Sequence, residues 1–230
     1  IMNLILHGLD APNIIRTNTL SENLQDIDES KKYDVILANP PFGGNENASI
    51  KKSFDIRSKE TALLFLQHFM KMLKAGGRAG VVIKNTFLSN TDKPSINLRR
   101  TLLETCNLHT ILVCPKGTFQ GTANQTVVLF FNKGQSTKKI WYYELNPGRN
   151  LGKSNPLNDN DLQDFLLQQK NFSLTKNSWF INSQDVEKDL YDLYPINPNY
   201  EEPTRRNSNK IVEEIENLDS EMDNIFSEIK

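Results

Sequence analysis

The sequence predicts an α/β fold built on a mostly parallel sheet, and three observations lead there. Tyr33–Ala38 is an almost continuous apolar run of strand length, as expected of a strand covered on both faces. Leu63, Leu66, Phe69, Met70 and Leu73 then recur on one stripe of a helix spanning Glu60–Lys74. The order strand, helix, strand, helix, strand continues with connections long enough for crossovers, which places helices on the faces of a parallel sheet.

Taken in order, the chain opens as a helix entered midway: Ile1, not Met, leads straight into Met2–His7, and Gly8 stops it. Such a start reads as that of a fragment. Ile14–Leu20 reads as a short strand or strand-to-loop piece. The polar stretch Gly43–Lys59 reads as a long, mobile loop. Gly76-Gly77 is expected to end the Glu60–Lys74 helix, with Ala79–Ile83 as the next strand. Ile96–Thr105 is a further helix, with Arg99 and Arg100 on its outer face. His109–Cys114, Gln125–Phe131 and Lys139–Leu145 read as strands. Only Lys116–Asn124, centred on Gly117 and Gly121, separates the first two of these. That is too short for a helical crossover, so the pair is expected as an antiparallel hairpin at one edge of the sheet.

Pro147–Pro203 turns polar and reads as irregular linker and short helices packed on the domain. From Asn207 a last helix is clear: Ile211, Ile215, Leu218, Met222, Ile225 and Ile229 alternate at spacings of four and three, a heptad seam. The expected organisation is therefore 1–146 as the principal domain, 147–206 as linker and packing segment, and 207–230 as a docking helix.

Composition narrows the function. Apolar residues make up 37% and charged residues 24%, which suits a globular domain with a substantial core. A net charge of −1 excludes a protein that coats nucleic acid by electrostatics alone. Cys106 and Cys114 are too few for a disulfide framework and lack zinc spacing, which suits a reducing, cytoplasmic setting. His7, His68 and His109 read as core or surface histidines rather than ligands. No signal peptide or membrane-length apolar run is present.

The most informative segment is Asn39-Pro40-Pro41-Phe42, where the first apolar run stops. Neither proline can extend a strand ladder, and together they fix a stiff elbow and press Asn39 toward an extended conformation. The elbow presents an amide side chain, free carbonyls and an aromatic ring. In an open α/β sheet ligands collect at the carboxyl ends of strands, and Lys84-Asn85-Thr86-Phe87 follows the next strand at that same end. An aromatic amine is a poor nucleophile because its lone pair is delocalised into the ring. Two acceptors for its hydrogens, the Asn39 side-chain oxygen and the Pro40 carbonyl, would favour a pyramidal nitrogen ready to attack a methyl donor. Phe42 would stack on a base extruded from a duplex. No metal, nucleophilic cysteine or triad is required. The plainer alternative makes the prolines a strand stop and Phe42 a core ring.

Asn39–Phe42 resembles the catalytic motif of amino-group DNA methyltransferases that use S-adenosylmethionine. Met2–Gly8, Ala38–Gly43, Leu108–Leu112 and Ile140–Tyr143, with Tyr200–Arg205 less specifically, resemble the modification subunit of type I restriction-modification systems. The resemblance covers nearly the whole chain and implies a Rossmann-like class I methyltransferase sheet, with residues 1–146 as the catalytic part. It implies N6-adenine methylation in double-stranded DNA with a flipped adenine. Asn39, Pro40, Pro41 and Phe42 would be catalytic, and Asn18 and Asn39 would contact the cofactor. Asn18, in Thr17-Asn18-Thr19-Leu20, stands where the family usually has Asp; Lys84-Asn85 stands where it has Pro-Asn or Pro-Asp. The Gly-rich cofactor loop and the carboxylate that holds the ribose lie upstream of Ile1 in the family, and Gly43-Gly44 and Gly76-Gly77 do not replace them. The chain is thus expected to bind S-adenosylmethionine weakly or not at all by itself.

The acidic residues Glu213, Glu214, Glu216, Asp219, Glu221, Asp223 and Glu228 keep the last helix off phosphates, so its seam is expected to dock on protein. The resemblance implies the specificity subunit as that partner, with the restriction subunit in the same complex. Lys51-Lys52 is either a DNA contact or a solvated pair. Methylation of a protein glutamine amide, methylation of an RNA base, and a non-catalytic assembly role remain as alternatives.

Overall fold

In the computed structural model, which describes residues 1–22, 27–119, 122, 124–188, 190–194, 196–200, 212, 215–220, 222 and 225, the chain divides into two compact units, Ile1–Pro198 and Asn199–Lys230. The first unit holds β1 (Tyr33–Ala38), β2 (Leu73–Lys84), β3 (Cys106–Cys114), β4 (Thr126–Lys133), β5 (Lys139–Glu144) and β6 (Ser178–Asn182). Its helices are α1 (Met2–Leu6), α2 (Ala48–Lys52), α3 (Thr61–Met72), α4 (Lys93–Thr105), α5 (Asp159–Gln169) and α6 (Ser183–Lys188). In the second unit residues 215–220 are helical, and Val212, Ile215, Leu218, Met222 and Ile225 are exposed. Tyr200 is described, but Glu201–Arg205 and the seam positions Ile211 and Ile229 lie outside the described residues.

The strands form one sheet in the order β1-β2-β4-β3-β5-β6. β1 runs parallel to β2, and β3 to β5; β4 is antiparallel to both β2 and β3, and β6 to β5. Hence β1, β2, β3 and β5 share one direction, and β4 and β6 oppose it. The short β3–β4 connection does give an antiparallel hairpin, but not at an edge. β4 inserts between β2 and β3, because its run Val127-Val128-Leu129-Phe130-Phe131 has apolar side chains for both faces and can be paired on both edges.

Helix α3 begins at Thr61 and already ends at Met72, so Gly76-Gly77 does not stop it. Instead β2 starts at Leu73 and the glycine pair forms a bulge. Tyr33 pairs with Leu73 and Val35 with Arg78, so the extra residues of β2 loop out between them. Gly76 takes φ +77°, and a Cβ on Gly77 would stand 3.0–3.2 Å from the carbonyls of Lys74, Tyr33 and Asp34. Glycine permits that approach without displacing the neighbouring backbone.

Helices α3 and α4 cover one face. Leu63, Leu66 and Met70 of α3 and Leu98, Leu102 and Leu103 of α4 join Ala79, Val81 and Ile83 of β2 and Leu129 and Phe131 of β4 in one cluster. Helix α5 covers the other face, where Phe165 stacks on Trp141 at 6.1 Å and meets Tyr143 at 5.3 Å. The segment 147–206, read as irregular linker and short helices, holds the helices α5 and α6 and also a sheet strand, β6, which the sequence reading lacked. Asn158 caps α5 by accepting from Asn160 and Asp161 N–H (3.0 and 3.3 Å), and Asp161 accepts from Asn158 N–H at 2.9 Å, a complete capping box. Trp179 of β6 stacks on Tyr142 of β5 at 5.5 Å.

Three further expectations are corrected, and one open reading, that of Ile14–Leu20, is resolved. β1 is not covered on both faces: among the described residues it pairs with β2 alone, and Tyr33, Val35 and Leu37 are 53%, 45% and 80% exposed. Gly43–Lys59 is anchored rather than mobile. It contains α2, buries Phe54 against Leu20 and Leu64, and is pinned by Gln67, which accepts from Ile56 N–H (3.0 Å) and donates to Ile56 O (2.8 Å). Arg99 is not on the outer face of α4 but 1% exposed, since its donors find carbonyls inside. Ile14–Leu20 forms no strand; Thr19–Ser21 is a single 3₁₀ turn. No helix among the described residues is long and apolar enough to cross a membrane.

Two measurements check this packing. Leu102→Ala, in the fully buried α4 stripe, should lower unfolding free energy by about 2–5 kcal/mol in urea titrations, whereas exposed Leu166→Ala should change it by less than about 0.5 kcal/mol. His68 on α3 is buried, and burial lowers its pKa below the ordinary 6.5 against a smaller opposing pull from Glu22. The unfolded chain then binds more protons than the folded one below 6.5, so stability should fall as the medium is acidified through that value. His68→Gln should flatten that acid limb in melts recorded across pH.

Candidate active site

The elbow leaves the sheet one residue past the last β1–β2 pair, Ala38↔Val81, while β2 runs three residues further to Lys84. The prolines cause the departure, because neither can donate to β2. Pro40 is buried and anchors the turn, Pro41 and Asn39 are exposed, and Phe42 is half-buried. Among the described residues the Asn39 side chain makes no hydrogen bond, so its oxygen and NH₂ are both available. Behind Phe42 the chain folds over the start of α3: Gly44 adopts φ +122°, and a Cβ there would lie 3.1 Å from Thr61 Oγ1. That hydroxyl is buried without a partner.

Beside the elbow, β2 ends in the 3₁₀ turn Asn85–Leu88. Asn85 N–H donates to Gln125 O at 2.9 Å and Asn85 Nδ2 to Gln125 Oε1 at 3.1 Å, while Asn85 Oδ1 is buried with no partner. Gln125 stands one residue before β4, so the insertion of β4 beside β2 brings it here. Sequence reasoning missed Gln125, since nothing in the local pattern says which strand neighbours β2. Lys84 ends β2 and Asn85 follows it, at the carboxyl end where the sequence predicts them.

Asn18 belongs to a different surface. Its Oδ1 accepts from Leu20 N–H at 3.1 Å and caps the 3₁₀ turn, leaving the NH₂ as its outward group. It lines a cavity of about 830 Å³ with Thr17, Glu22, Ile36, His68 and Phe69, and none of Asn39–Phe42 contributes to that lining. His68 Nδ1 faces this wall buried and unpartnered. Its position in α3 looks like core from the sequence, and no spacing marks it as anything else.

Other reactive groups are remote or quiet. Cys106 and Cys114 are free and buried, and burial pushes the Cys114 thiol up to about 12, far from a nucleophilic thiolate. Lys51 donates to Asn45 within its own loop, while Lys52 is exposed.

Comparison with known proteins places this geometry. Residues 1–207 match the family model for N-6 DNA methylases. The chain is 32% identical over 246 residues to the type I restriction enzyme EcoEI methylase subunit of Escherichia coli, covering 99% of this chain and 49% of that protein. It is 34% identical over 180 residues to the StySJI methylase subunit of Salmonella typhimurium, covering 72% of this chain and 33% of that one. A crystal structure of a modification subunit assigned to a type I restriction enzyme from Vibrio vulnificus superposes with a TM-score of 0.79 at 35% identity, over 86% of this chain and 45% of that one. A structure describing complex assembly of the type I restriction-modification system aligns with a TM-score of 0.77 at 35% identity, over 99% and 50% of the two chains. The chain spans about half the length of the EcoEI relative. On the extent of these matches, the chain belongs to the N-6 DNA methylase family.

Proposed function

We propose that this chain carries the amine-holding part of an active site that transfers a methyl group from S-adenosylmethionine to N6 of adenine in DNA, within the modification subunit of a type I restriction-modification system. The observation that carries this reading is the elbow: an exposed, unengaged Asn39 amide at a strand's carboxyl end, backed by buried Pro40 and flanked by half-buried Phe42. Similarity to methylase subunits of type I restriction enzymes supports it.

S-adenosylmethionine, when bound, supplies an electrophilic methyl group on a cationic sulfur. The walls around Asn18 suit the adenine end of that cofactor: Ile36 and Phe69 offer apolar surface to a flat ring, and the Asn18 NH₂ can donate to a ring nitrogen. Asn there keeps the donor that an Asp would lack. Asn39 Oδ1 and the Pro40 carbonyl take the two hydrogens of the target amine and turn its lone pair away from conjugation. Because the prolines fix the Pro40 carbonyl and the Asn39 backbone beforehand, less reorganisation is needed as charge builds on nitrogen. Phe42 stacks on the extruded base and offsets part of the unstacking cost. The surplus proton on the methylated amine can pass to water beside exposed Asn39.

Sequence choice and much of the DNA affinity fall to a partner, which is consistent with a net charge of −1. The exposed apolar residues Val212, Ile215, Leu218, Met222 and Ile225 fit docking on the specificity subunit, with the restriction subunit completing the complex in the cytoplasm.

In full-length protein assembled with its specificity subunit, Asn39→Ala should reduce labelled-methyl transfer to DNA by on the order of 10²–10³-fold in kcat. Unchanged transfer would sink the assignment. Phe42→Ala should weaken productive DNA binding by about 1–3 kcal/mol, and Phe42→Tyr should retain most of it. Deleting Asn207–Lys230 should abolish co-purification with the specificity subunit while the circular dichroism spectrum of the remaining domain persists.

A further inference from the structure

Arg99 has no part in the chemistry above, yet it is among the largest fully buried side chains of the molecule. Among the described residues it forms no ion pair; Asp192 and Asp92 exert only a longer-range pull against the burial that lowers its pKa. Its guanidinium instead joins two segments distant in sequence. Nε donates to Tyr191 O at 2.6 Å and Nη1 to Phe87 O at 2.8 Å. Phe87 belongs to the Asn85–Leu88 turn at the rim of the candidate site. Tyr191 belongs to a strap that follows α6.

That strap is held in an unfavourable backbone conformation. Leu190 and Tyr191 have φ of +50° and +59°, two consecutive non-glycine residues in the left-handed region, which persists only where surroundings over-determine it. The fixing bonds run to the site turn and to the sheet. Leu193 N–H donates to Leu88 O at 2.8 Å, Tyr191 N–H to Val186 O at 2.9 Å, and the fully buried Tyr142 hydroxyl to Leu193 O at 3.0 Å. The turn is held from its other side by Gln125.

We propose that Arg99 is a positioning residue: it locks the Leu190–Leu193 strap to the Asn85–Leu88 turn, so that the wall bearing the unpartnered Asn85 oxygen keeps its place beside Asn39 only while the strap is seated. The proposal rests on the active-site reading of the elbow. A forked guanidinium is needed because one cation must reach two carbonyls in different directions; a lysine ammonium on a flexible stem cannot hold both in fixed geometry.

The test uses full-length protein assembled with its specificity subunit and two variants, Arg99→Lys and Tyr142→Phe. Hydrogen exchange is read at residues 85–90 and 190–194, with kinetics of DNA methylation alongside. Arg99→Lys should speed exchange in both segments by about tenfold or more while β3 and β4 stay protected. It should lower kcat by on the order of tenfold with KM for DNA and cofactor within about twofold, as expected for a displaced site wall. Tyr142→Phe removes a hydroxyl that touches only the strap, and it too should speed exchange at 85–90. Faster exchange confined to 190–194, or spread evenly over the sheet, would overturn the proposal, as would an unchanged kcat in Arg99→Lys. Should Arg99→Lys not fold, Tyr142→Phe decides alone by the same exchange pattern. If Asn39→Ala leaves methylation intact, the reading of the elbow fails, while the exchange pattern still reports whether strap and turn are joined.

Discussion

Strand β4 is the constraint on which the working end of the sheet depends. It is paired on both edges, from Thr126↔Lys84 to Asn132↔Arg78 with β2 and from Thr126↔Cys114 to Lys133↔Cys106 with β3. Because β4 is antiparallel to its neighbours, it starts where they finish. Gln125 therefore stands at the carboxyl end of β2, where a parallel strand would have placed its far terminus. Two ladders of hydrogen bonds fix that position, and the Gln125 carbonyl and side chain then carry it to Asn85. The elbow needs no such support, since two prolines supply rigidity covalently. The rim thus combines a segment stiff by its own chemistry with one made stiff by its neighbours.

What could be read from residues alone follows from the range of the forces involved. The β1 run, the α3 stripe and the elbow are local patterns, and the structure places them within a few residues of where the sequence does. The hairpin's antiparallel sense also follows locally, from a loop too short to cross the sheet. Its place inside the sheet does not, because that depends on which strand lies next to β2. The uninterrupted apolar run Val127–Phe131 hinted at a strand with two covered faces. Asn158-Asp159-Asn160-Asp161 likewise carried a helix-start signal inside a polar stretch read as linker and short helices. Arg99 was beyond reach, since the carbonyls that satisfy it lie 12 and 92 residues away. The strand-end positions of Asn39, Phe42 and Asn85 were legible, whereas the placement of Gln125 beside Asn85 and of His68 on the Asn18 cavity depends on tertiary neighbours.

The two surfaces assigned to the reaction are physically separate. Asn39–Phe42 leaves the carboxyl end of β1, while the Asn18 cavity is walled by Tyr33 and Ile36 of β1 and by His68, Phe69 and Met72 of α3. In the proposed reaction the first holds the amine and the second offers a wall to the cofactor's ring. Strand β1 runs between them, so its register with β2, set by the Gly76-Gly77 bulge, governs their relative placement. A Cβ at Gly77 would push against carbonyls of β1 itself, which makes a glycine outside the elbow a determinant of both surfaces.

The outer side of β1 has a colloidal consequence. Val35 and Leu37 stand largely in solvent on a strand that pairs on one side only, with Lys74–Asp34 as its nearest ion pair. Natural sheets guard such edges with inward-pointing charge, proline or bulges. Here the first proline arrives only after the strand has ended, and the bulge lies in β2. Unpaired backbone groups flanked by exposed apolar side chains are a template for strand addition between molecules. Within the 230-residue chain, the outer side of β1 therefore joins unpaired backbone groups to exposed Leu37, a surface suited to pairing with a further strand.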